Sequence, residues 1–133
     1  MKIFRAALSS LEGGDPKTFT GEVIRTTLAQ DNDVTAGTPV NVYRVEFLPG
    51  ARTHWHTHTG PQWLFVVEGR IRVQTHGQPA TEVIKGDAVV IHPGEKHWHG
   101  AAASEGGVHL AVNVNAKTSW MEPVTDQEYR TLG

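Results

Sequence analysis

The chain has 133 residues, a length that fits one domain (residues 1–133) able to bury a core without help from a metal or disulfide. Twelve Lys and Arg against fourteen Asp and Glu leave a formal charge of −2, which argues against a nucleic-acid or basic membrane-surface binder. With no Cys, disulfide scaffolds, thiolate metal sites and cysteine nucleophiles are excluded, and a reducing cytoplasmic setting is expected. No apolar run reaches the roughly 18 residues of a membrane span, and no signal peptide follows the opening Met-Lys-Ile-Phe-Arg.

In chain order, Thr18 to Leu28 is rich in Thr, Val and Ile and reads as a first strand. Asp31 to Pro39 reads as a loop. Val40 to Phe47 alternates, with Asn41, Tyr43, Val45 and Phe47 on one face and Val42, Arg44 and Glu46 on the other. Pro49-Gly50 is a turn. Trp63 to Glu68 is a strand, Glu68-Gly69 a tight turn, and Ile71 to Thr75 the next strand. Thr81 to Ile84, Ala88 to Ile91 and Val108 to Val114 follow, separated by turns at Lys85-Gly86-Asp87 and Pro93-Gly94. Thr125-Asp126-Gln127-Glu128 has capping-box spacing and predicts one short C-terminal helix. Short strands at regular spacing predict an all-β sandwich or small barrel, in which alternate side chains line one cavity.

Eight His is a high count, and five of them fall in two clusters. In His54-Trp55-His56-Thr57-His58 an extended backbone places three imidazoles on one face, and His56 and His58 can then clasp one ion. The alternative is a surface strand with its polar residues outward. In the second cluster His97 and His99 share a face, with Trp98 on the other. His109, Ala111 and Asn113 alternate with Val108, Leu110 and Val112, as a pocket wall would; His109 as a hydrogen-bonded core residue is the other option. His92 and His76 read as exposed, and Trp55 and Trp98 as packed between sheets.

Two stretches carry a family resemblance. Gly50-x5-His56-x-His58-x3-Gln62-x6-Gly69 resembles the first signature of the cupins, with Gln62 where most members have Glu. Gly86 through Pro93-Gly94-x2-His97 is similar to the second. The resemblance implies a double-stranded β-helix (jelly-roll) barrel, a homodimer or higher homo-oligomer, and one divalent ion held by His56, His58, Gln62 and His97. Within the cupins, the run Gly50 to His58, with Gly94 to Ala102 and His109-Leu110-Ala111, resembles the small bacterial hydroxynitrile lyases. That likeness implies manganese as the first expectation for the ion, with iron, cobalt, nickel or zinc as alternatives. It also implies His99 and His109 as an acid/base pair, with Thr53 beside them and Asn113 on the pocket wall. Tyr43, Val45 and His54 join Thr53 and Asn113 as expected pocket residues; His54 and Tyr43 are larger than their counterparts in those lyases.

Three imidazoles and a carboxamide are neutral, so a bound divalent ion keeps its charge and acts as a Lewis acid. Cyanohydrin cleavage needs a hydroxyl deprotonated and a proton given to cyanide, which imidazoles do near neutral pH. The expected partner is a small molecule. The competing readings are a metal-dependent oxygenase on a small phenol or diketone, a cupin acting on a sugar acid, and a non-catalytic binding module. A sugar-acid site requires a cation in the pocket, and Arg44, Arg70 and Arg72 are not obviously directed there.

Overall fold

The computed structural model describes residues 1–6, 9–33 and 36–133. Its strands are β1 (Leu11–Gly13), β2 (Phe19–Thr20), β3 (Val23–Asp31), β4 (Val40–Phe47), β5 (Arg52–Thr53), β6 (His56–His58), β7 (Gln62–Thr75), β8 (Thr81–Ile84), β9 (Ala88–Ile91), β10 (His97–Ala101), β11 (Gly107–Val114) and β12 (Thr118–Trp120). A single helix, α1 (Asp126–Arg130), follows them among the described residues. One sheet runs β1-β3-β4-β11 and on to the first half of β7, with β9 at its far edge. The other places the second half of β7 between β8 and β10, with β5, β6, β2 and β12 beyond. All strand pairings are antiparallel, and the two sheets curl around a jelly-roll interior.

Two expected boundaries differ, for the same reason: a strand that changes sheet. The predicted turn at Glu68-Gly69 is instead the middle of the 14-residue β7. Before it, β7 pairs with β11 and β9; after it, with β8 and β10. The bend sits at Gly69 (φ 67°), where an added Cβ would meet the Gly106 carbonyl oxygen at 2.0 Å. The predicted strand Thr18 to Leu28 is likewise cut at Gly21-Glu22. β2 pairs with β5 in one sheet and β3 with β4 in the other, and Gly21 (φ 82°) makes the switch. The predicted loop 31–39 begins at the last residue of β3 and lies partly outside the described residues.

Alternation builds the interior. Val23, Val45, Phe47, Val66, Ile71 and Ala101 form the main core, and Leu64, Ile91 and Ala111 a second cluster beside it. The expectation that Trp55 and Trp98 pack between the sheets fails. They lie with Ala80, Val124 and Tyr129 in a separate cluster under α1, because the outward face of β10 is roofed by the C-terminal segment. The predicted capping box is present: Thr125 and Glu128 each accept from the other's backbone N–H. Tyr129 fixes the roof. Its ring lies between the guanidinium groups of Arg52 (4.4 Å) and Arg72 (4.6 Å), and its hydroxyl donates to the Ala101 carbonyl at 2.6 Å.

Gly69→Ala combines a forbidden contact with a left-handed backbone and is expected to destabilise the protein by about 3 kcal/mol or more. Gly77→Ala (φ 85°, nothing within 4 Å) tests the backbone cost alone and should lose only about 1 kcal/mol. Urea unfolding of the two variants measures the difference; equal losses would show that the sheet crossing tolerates a side chain.

Candidate functional site

One end of the barrel holds a cavity of about 110 Å³, many times what one water needs. Its polar lining is His56, His58, Gln62, His99, His109 and Asn113 with Thr53 and Thr118; its apolar wall includes Phe19, Tyr43, Val45, Ala111 and Trp120. Cross-strand register brings these residues together from distant stretches of chain. His97 lies opposite His56 where β10 pairs with β6, and Asn113 lies opposite Gln62 where β11 pairs with β7. His97 and His99 point inward from β10 while Trp98 points out to the roof.

The imidazoles are close and oriented. Ring centroids are 4.2 Å apart for His56 and His97, 4.9 Å for His56 and His58, and 5.0 Å for His58 and His97. His56 Nδ1–H donates to the His54 carbonyl at 2.9 Å, and His97 Nδ1–H donates to the Glu95 carbonyl at 2.8 Å. Both bonds put the lone pair on Nε2, facing the cluster. Gln62 Nε2 donates to Asn113 Oδ1 at 2.8 Å, which turns Gln62 Oε1 the other way. Gln62 Oε1, His58 Nδ1, His97 Nε2 and His99 Nε2 are all buried without a hydrogen-bond partner. Unpaired acceptors of neutral imidazole and carboxamide type suit a borderline divalent cation, so the donor set fits an ion. Among His and carboxylate groups the tightest set is His56, His97 and His99, whose ligand atoms lie within 4.8 Å of one another. His99, and not the expected ligand His58, completes that set.

Behind this group, His99 Nδ1 and His109 Nε2 share one hydrogen bond of 3.0 Å. Both rings are buried, and Phe47 packs edge-on to His99 and tilted against His109. Thr53 Oγ1 accepts from the His99 backbone N–H at 3.2 Å and so ties β10 to β5. Burial holds every one of these imidazoles below the usual histidine range, most strongly His56 and His99; it takes His58 and His109 down to about 4. The neighbouring His97 adds to the effect at His56 and His58.

Tyr43, Val45, Thr53 and Asn113 line the cavity, as do His56, His58, Gln62, His99 and His109; His97 does not line it but packs against His56 and His58 from β10, ring centroids 4.2 and 5.0 Å away. His54 does not join them. The chain bends at Trp55, so the three imidazoles of 54–58 do not share a face, and His54 turns toward the backbone carbonyls of Lys17 and Phe19. The predicted exposure of His76 and His92 holds. Arg70 and Arg72 pair with Glu82 rather than entering the cavity, and Arg44 pairs with Glu46. Sequence reading missed Phe19, Arg25, Thr118 and Trp120 as lining residues. The Trp120 ring packs tilted against His56, centroids 4.5 Å apart, from β12, which pairs with β6. The available signal for Arg25 was its alternation with Val23 on a strand pairing β4, placing it on the face of Val45 and Phe47.

In protein stripped of metal, imidazoles held neutral by burial bind fewer protons than they do in the unfolded chain, where they titrate near 6.5. Stability is therefore full above that value and falls as pH drops from about 6.5 toward 4, with His109 alone worth about 3 kcal/mol. Urea midpoints of chelator-treated protein should decline steadily through that window. A flat profile would mean these rings charge without penalty.

Comparison with known proteins places this geometry. The cupin domain family matches residues 43–114, which carry the cavity from β4 to β11. A curated protein from Granulicella tundricola, named (R)-mandelonitrile lyase, is 42% identical over 98% of this chain and 99% of its own length. A cupin-like protein from Thermotoga maritima is 42% identical, with a TM-score of 0.82 over 89% of this chain and 90% of the other. The polyketide cyclase RemF from Streptomyces resistomycificus shares the fold at 21% identity, with a TM-score of 0.71 over 97% of this chain and 90% of its own. With the family's match spanning the strands that build the cavity, and a relative at 42% identity over nearly its full length, this chain belongs to the cupin family.

Proposed function

We propose that this cupin is a metal-dependent hydroxynitrile lyase, cleaving a cyanohydrin to an aldehyde and hydrogen cyanide and catalysing the reverse addition. The observation that carries the reading is the buried His99–His109 pair, hydrogen-bonded at 3.0 Å beside a cluster of unpaired ligand atoms. The near full-length likeness to an (R)-mandelonitrile lyase supports it. His56, His58, Gln62 and His97 would hold the ion, with manganese the first to try. Bound there, a divalent ion supplies Lewis-acid polarisation of the substrate oxygen.

The chain's own groups do the rest. The His99–His109 pair is neutral at working pH, so one ring takes the cyanohydrin hydroxyl proton. The C–C bond breaks as the oxygen's electrons form the carbonyl, and the bonding pair leaves with cyanide. The proton taken up by the ring then passes to cyanide, and the pair returns to its starting state with the hydrogen bond between the rings kept. Tyr43, Val45, Phe19 and Trp120 give the aldehyde's ring an apolar wall.

Manganese-loaded protein is expected to release benzaldehyde from racemic mandelonitrile at mildly acidic pH, and chelation should abolish the release. His97→Ala should lose the ion, whereas His99→Ala should keep it and lose about a hundredfold or more in kcat. If His99→Ala releases the ion while His58→Ala retains it, the third imidazole ligand is His99 and the acid/base assignment falls. No metal-dependent release would overturn the lyase reading.

Asn113 fixes which end of the Gln62 amide faces the cluster. Asn113→Leu removes that constraint and should weaken ion binding by about tenfold, read by titration calorimetry. Unchanged affinity would show that Gln62 finds its orientation without it.

A further inference from the structure

Among the residues lining the cavity, Arg25 is the one that carries a fixed charge; every other lining group is apolar, a hydroxyl, an amide or a buried imidazole. It stands at the mouth with Phe19 and Trp120, and these three also border an outer hollow that holds Glu12 and Asp15. One guanidinium nitrogen, Nη2, pairs with Glu12 Oε2 at 2.7 Å across the β1–β3 register, where Glu12 lies opposite Arg25. The Arg25 Cζ lies over the Tyr43 ring, 5.1 Å from the centroid. Glu12 takes one N–H of Nη2; the second N–H of Nη2 and those of Nε and Nη1 meet no protein acceptor among the described residues, so the fork keeps donors for a second partner.

We propose that Arg25 is a substrate-specificity residue, binding a carboxylate carried by the substrate at the end remote from the reacting carbon. Resting on the lyase reading, this names the substrate class as cyanohydrins and aldehydes that bear a carboxylate group. The Tyr43 ring packs against the guanidinium and limits where it can sit. Nε and Nη1 lie on opposite sides of the guanidinium, so the edge open to a carboxylate pairs the second N–H of Nη2 with one of them, a planar two-donor geometry that matches a carboxylate. Glu12 opposes this from outside the cavity. Its pair with Arg25 is solvent-exposed on both sides, so an incoming carboxylate competes with a weak partner. Glu12 is thus a brake on anion binding, and its removal should strengthen the selectivity rather than abolish it.

The test compares kcat/KM for the cyanohydrins of 3- and 4-carboxybenzaldehyde with those of the matching carboxamides, which have the same shape without the charge. In the metal-loaded wild type the better carboxylate should be favoured over its amide by about tenfold. Arg25→Gln should bring that ratio to about one, and Glu12→Gln should raise it severalfold above wild type. A wild-type ratio near one, or a ratio unmoved in Arg25→Gln, overturns the assignment. If Arg25→Gln does not fold, a Glu12→Gln ratio no higher than wild type overturns it instead. Calorimetric binding of 4-carboxybenzyl alcohol against its amide, in the same three proteins, separates the two readings. Binding that follows Arg25 and Glu12 with no cyanohydrin turned over leaves the carboxylate site standing and removes the lyase reading. A carboxylate held by the metal would bind Arg25→Gln and wild type alike, which removes the site.

Discussion

Five imidazoles and a carboxamide lie buried at one end of the barrel, and each buried polar atom without a partner costs roughly 1–3 kcal/mol. Keeping Gln62 Oε1, His58 Nδ1, His97 Nε2 and His99 Nε2 together in that state is the constraint from which the other features follow. The rings remain neutral, since charging any of them inside the cluster would add repulsion from its neighbours to the loss of solvent. They also remain oriented, because the opposite nitrogen of His56 and of His97 is tied to a backbone carbonyl two residues back. Strain of this kind persists only where the surroundings over-determine the geometry.

Those surroundings lie on the outer side of the same strands. β10 presents His97 and His99 inward and Trp98 outward, so the indole's packing and the imidazoles' positions are set by a single backbone. Trp98 sits under α1 with Trp55 and Tyr129, its indole N–H donating to Gln74 at 2.7 Å. Tyr129 in turn is gripped by Arg52 and Arg72, which rise from β5 and β7 on either side of β10. A five-residue helix would be marginal by itself. Here the capping box and the arginine clamp make it the backing plate for the strand that carries His97 and His99.

The sequence made the alternating strands, the capping box and the inward pairing of His97 with His99 legible, because each depends on residues two to four positions apart. Gln62 and Asn113 were readable as separate pocket residues, but their hydrogen bond comes from the β7–β11 register, 51 residues apart in the chain. The miscalled features share that origin. Glu68-Gly69 carries the chemistry of a hairpin turn, and a strand crossing between sheets needs the same glycine backbone. Trp55 and Trp98 read as core residues and are core, but of the roof rather than the barrel. His54 read as a third imidazole on the face because the bend at Trp55, forced where the strand passes from β5 to β6, has no local marker. Arg25 and Trp120 went unread for a related reason: alternation puts Arg25 on the face of Val23, but only the pairing of β3 with β4 and of β12 with β6 brings the two residues to the mouth.

The field inside the cavity then has a definite sign. A carboxylate at position 62 would offset part of a bound cation's charge; a carboxamide offsets none, and Arg25 adds one more positive charge at the entrance. A positive interior disfavours protonation of His99 and His109, in the same direction as their burial. Under the proposed lyase reading, a pair so held would give its proton up readily, which suits a reaction that moves one proton from oxygen to a leaving carbon. The same field stabilises negative charge wherever it develops on a bound molecule, at the reacting oxygen as well as at a remote carboxylate. Glu12, outside the wall, screens the entrance charge without entering the cavity, so selectivity at the mouth can be adjusted without altering the chemistry at the floor.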